Sequence, residues 1–197
     1  MTADALARDY IDSTIPVFPV ARISKIVRRT HSEPCADLIE SVVQVLDRFF
    51  GQANAACRRG ECEEPQSTFM TSRDVSSIRP RTEALVDEDL LKDWPWEGSS
   101  VQQIVDFALQ YLNNTDLSPT NMVVFDDITN QDDTCLILSK DPFSNDPRTY
   151  VQVRSDFESA VVALKTIETG CGDADTQLDT NYEGSDGVLR ISVRDRP

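Results

Sequence analysis

From Ala36 to Arg59 the apolar residues Ile39, Val42, Val43, Leu46, Phe49, Phe50, Ala53 and Cys57 recur at spacings of three and four, which marks one face of an α-helix. Glu40, Gln44, Asp47, Arg48 and Gln52 fall off this stripe. A helix of about twenty residues spans roughly 30 Å, the width of a small domain. Gly51 costs about 1 kcal/mol against alanine in a helix interior, which a continuous stripe tolerates. Shorter patterns flank this helix. Val20 to Arg29, entered through Pro16 and Pro19, turns Ile23, Ile26 and Val27 inward and Arg22, Lys25, Arg28 and Arg29 outward. Beyond a loop over 60–67, a third short helix is expected with Thr71 or Ser72 as its cap and Asp74 in its first turn. Residues 1–17 form an N-terminal arm, with Leu6, Tyr10 and Ile11 on one side.

The pattern changes after a charged connector over 79–93, where Pro80 steers Arg79 away from helical geometry. Trp94 and Trp96 anchor the edge of a core or, on the competing reading, form an exposed binding pair. Ser99 or Ser100 caps a helix over 101–112, with Val101, Ile104, Val105, Ala108, Leu109 and Leu112 inward. Met122–Phe125 and Cys135–Leu138 are short apolar runs joined by a polar loop, as in a hairpin. After a turn-rich link over 141–148, a third strand covers Tyr150–Val153. Ser155 and Glu158 make a capping box for a helix carrying Phe157, Val161, Leu164 and Ile167, which Gly170 ends. Alternation over Gly187–Val193 predicts a last strand. The fold class is α+β: an N-terminal helical region of short, long and short helices over 18–78, then an acidic domain over 94–197 with a small sheet covered on one face by two helices.

Composition sharpens this picture through charge. The net charge of -15 is lopsided: residues 1–60 carry 8 Lys and Arg against 7 Asp and Glu, the remainder 11 against 27. The acidic part repels phosphate, so nucleic-acid contact would have to come from the front part. Cys35, Cys57, Cys62, Cys135 and Cys171 are scattered and odd in number, unlike a disulfide framework. The opening MTADALARDYIDS lacks a basic region followed by an apolar run, so secretion is not expected and the compartment is nuclear or cytoplasmic. No apolar run is long enough to cross a bilayer.

Candidate chemistry is sparse. His31 and Cys35 lie four residues apart with no orienting third group. Cys57 and Cys62 lack the further ligands that a zinc site needs. Asp126, Asp127, Asp132 and Asp133 form the most metal-like cluster, but DDITNQDD has neither the glycine nor the closing glutamate of a calcium loop. It reads as a solvated acidic turn; a metal-dependent enzyme is the competing reading. No phosphate cradle, nucleophile elbow or kinase signature is present. The expectation is a non-enzymatic protein with no cofactor and no metal.

Phe18, Pro19, Ala21, Arg22, Ile23, Lys25 and Ile26 resemble the FPxARIKKIM motif of the histone fold in CCAAT-box-binding and DNA-polymerase-epsilon-associated subunits. The Phe49/Phe50 pair, Thr68 with Phe69, and Asp74 fall at similar positions. Glu61, Glu63 and Glu64 stand where that family carries basic residues, a departure that argues against DNA contact through this loop. The resemblance implies pairing with another histone-fold protein, as a heterodimer or with itself, through Ile39, Val42, Val43, Leu46, Phe49, Phe50 and Ala53. It also implies weak contact of Arg22, Lys25, Arg28, Arg29, Arg58 and Arg59 with a DNA backbone in a nuclear complex; a solvated helix face competes with this. The alternative is a self-contained acidic α+β protein with a binding or scaffolding role, in which the same stripe packs against its own sheet.

Overall fold

The computed structural model describes residues 14–20, 34–59, 67–78, 95–141, 143–168 and 186–191, the side chains of 34–43, 57–59, 130 and 131 excepted. Its frame is a six-stranded mixed sheet. The strands are β1 (Ile15–Pro19), β2 (Ser67–Phe69), β3 (Asn121–Phe125), β4 (Thr134–Lys140), β5 (Tyr150–Asp156) and β6 (Val188–Leu189), in the order β2-β1-β3-β4-β5-β6. The helices are α1 (Pro34–Arg59), α2 (Val101–Tyr111), the single turn α3 (Thr129–Asp132) and α4 (Phe157–Glu168). β1 is parallel to both β2 and β3; β3, β4 and β5 form an antiparallel meander, and β6 joins β5 in parallel.

The expected first helix does not open the fold. Ile15 to Pro19 is a strand inside the sheet, and all five residues are buried. The reason is legible in IPVFPV: a continuous apolar run is what a parallel strand shows when both its faces are covered. Two prolines inside a paired strand remove two ladder donors. The backbone makes this up beyond and beside them, with Val20 N–H donating to Phe125 O at 2.8 Å and Met70 N–H to Val17 O at 3.0 Å. The predicted helix over 20–29 otherwise falls outside the described residues. In place of a third helix there is one 3-10 turn, Val75–Ser77, whose cap is Asp74 and not Thr71 or Ser72. Thr68 and Phe69 lie in β2. Among the described residues the front part therefore reads strand, long helix, strand and turn: the long helix matches the expectation, a strand precedes it, a 3-10 turn stands at the place of the third helix, and the short-long-short arrangement of a histone fold is not confirmed.

Pleating sends alternate strand residues to opposite faces, and each face has its own core. On one face Val45, Leu46, Phe49, Phe50, Ala53 and Ala56 of α1 and Phe157, Ala160, Val161 and Leu164 of α4 cover Ile15, Val17, Val123, Phe125, Ile137 and Val153. On the other, Ile104, Val105, Phe107 and Ala108 of α2 cover Phe18, Met122, Val124 and Leu138. The two helices of the back half thus lie on opposite faces, and the second helix on the α4 face is α1. Strands from both sides of the 79–93 connector share one sheet.

Local signals behave as chemistry predicts at α2. Ser100 accepts from Gln103 N–H at 3.3 Å while its own N–H donates to Gln103 Oε1 at 2.8 Å, a complete capping box. At α4 the cap is Asp156, whose Oδ1 accepts from Ser159 N–H at 2.8 Å. Ser155, expected there, remains in β5.

Candidate functional site

A polar cluster sits where β3, β4 and β5 meet the α3 turn. Asp126 follows β3, and its Oδ1 accepts from the N–H groups of Ile128 at 3.1 Å and Thr129 at 3.2 Å and from the Thr129 hydroxyl at 3.1 Å. Arg154 of β5 grips the same carboxylate with both guanidinium ends, Nη1 reaching Oδ1 at 2.9 Å and Nη2 donating to Oδ2. Asp132 Oδ1 accepts from Thr134 N–H at 3.1 Å and from its hydroxyl at 2.7 Å. Asp133 adopts a left-handed conformation, φ 54°, which aspartate tolerates better than most residues. Its Oδ1 accepts from Arg48 Nε at 3.0 Å and Nη2 at 2.7 Å, tying the turn to α1.

These contacts set the electrostatics. Burial alone would raise the Asp126 pKa, but the Arg154 hydrogen bond and charge, with Thr129, hold it below the usual carboxylate range. Burial would lower the Arg154 pKa, and Asp126 outweighs that and raises it. Cys135, fully buried next to Thr134, is pushed well above the usual thiol value by desolvation, which the nearby Arg154 charge only partly opposes. Its thiol stays protonated at neutral pH and is no nucleophile. Asp127 also has a partner. The acidic turn is thus a clamp between strands and helix, and among the described residues no group of three His, Cys, Asp or Glu is arranged to hold a metal.

The residues expected to face a partner divide in two. Leu46, Phe49, Phe50 and Ala53 are completely buried in the chain's own core. Phe49 packs edge-on to Phe50, Phe125 and Phe157 at centroid distances of 5.2, 5.0 and 5.4 Å. The side chains of Ile39, Val42 and Val43 lie outside the described residues, as do Arg22, Lys25, Arg28, Arg29 and the side chains of Arg58 and Arg59. Trp94 and His31 also lie outside them. Trp96 is core: it is buried, donates Nε1–H to Met70 O at 2.7 Å, and stands edge-on to Phe18 and Phe107. Arg73 lies 4.9 Å over its ring and donates to Pro95 O at 2.9 Å. Gly98 N–H, 3.3 Å from Val20 O, then fastens this segment to the residue that follows β1.

Two further surface features stand out among the described residues. A hollow of about 440 Å³ is lined by Val75, Ile78 and Leu117 with Ser76, Asn114, Thr115 and Asp116. The β4–β5 loop presents Phe143, 68% exposed, against 51% for Tyr111 and 47% for Ile128. Sequence reasoning passed over Phe143, Arg154 and Arg48. The available signals were an aromatic residue inside a turn-rich segment, and two cations placed by topology beside an acidic loop. No family model, curated protein or solved structure matches the chain.

Proposed function

We propose that this chain is a non-enzymatic protein-interaction subunit that folds on its own and meets its partner through its outer surface. The observation that supports this best is the fate of the α1 stripe. Leu46, Phe49, Phe50 and Ala53 are covered by β1, β3 and α4 of the same chain, so they answer the need for burial that pairing with another chain would have answered. Among the described residues, the groups that invite a catalytic reading are engaged as well: Asp126 with Arg154, Asp132 with Thr134, Asp133 with Arg48, and Cys135 as a buried thiol. The sequence carries 34 Asp and Glu against 19 Lys and Arg. A net charge of this sign repels nucleic-acid phosphate and draws cationic proteins.

The test is reconstitution. The full-length chain is used to capture partners at low salt, the captured protein is purified separately, and the mixture is weighed by light scattering. The expected result is a complex of fixed stoichiometry that weakens as salt is added. Failure of any captured protein to re-form a complex from pure components would overturn the reading.

A further inference from the structure

We draw no further inference here: the strongest candidate, the surface hollow between the 3-10 turn Val75–Ser77 and the link from α2 to β3, has an apolar floor of Val75, Ile78 and Leu117 and the single carboxylate of Asp116 in its wall, and nothing among the described residues shows what covers it.

Discussion

Truncating Phe49 to alanine removes a ring that is fully buried and meets three other rings, Phe50, Phe125 and Phe157. These neighbours belong to α1, the end of β3 and the start of α4, so the side chain ties a helix on one side of the 79–93 connector to two elements on the other. Buried Phe→Ala changes cost about 3–5 kcal/mol, and loss of three edge-on ring contacts places this one toward the upper end. Against a total stability of about 5–15 kcal/mol for a domain, that is a large fraction. In equilibrium urea unfolding, with a slope of about 2 kcal/mol per molar, the midpoint should fall by about 2 M at unchanged slope. Gln52→Ala, on the exposed side of the same helix, should stay within about 0.5 kcal/mol of the wild type. A loss below about 1 kcal/mol for Phe49→Ala, with cooperative unfolding intact, would refute burial of the stripe within its own chain.

Other consequences follow from the same contacts. Gly51→Ala should raise stability by about 0.5–1 kcal/mol in the same urea assay, because the site is helical and exposed and a Cβ there meets nothing within 4 Å. Because the folded state holds Asp126 below its usual pKa, its contribution is fully present above the unfolded value of about 3.9. It is lost as pH falls through the lower folded value. Asp126→Asn should therefore cost about 2 kcal/mol at neutral pH and show a smaller acid-induced loss of stability than the wild type; equal acid dependence would contradict the clamp. Lys165 reaches Glu168 at 3.0 Å, and the Glu168 side chain is only 2% exposed and also accepts from Asn121 Nδ2 at 3.2 Å. Lys165→Met should lower stability by removing the cation beside that carboxylate, and adding Glu168→Leu should recover part of the loss in a double-mutant cycle.

The elements with a single strong signal were legible in the sequence. α1 and α2 announced themselves by spacing and capping, and β3, β4 and β5 by short apolar runs between turn residues. Residues 15–20 carried two signals at once: prolines that suit a helix entry and an unbroken apolar run that suits a buried strand. Tertiary pairing with β2 and β3 selected the strand. The side of the sheet on which each helix packs depends on non-local pairing, which periodicity does not encode; hence α1 was assigned to a separate module and α2 to the face of α4. The acidic turn was visible as composition, but its role depends on Arg48 and Arg154, 85 and 28 residues from the carboxylates they hold.

The most direct test of the account is the solution mass of the full-length chain, measured by light scattering after size exclusion across a range of concentrations. Burial of Leu46, Phe49, Phe50 and Ala53 by β1, β3 and α4 predicts a mass of 22.0 kDa at every concentration, together with one cooperative unfolding transition. A stable dimer whose dissociation exposes apolar surface and abolishes that transition would mean that a second chain covers the stripe, and would contradict it.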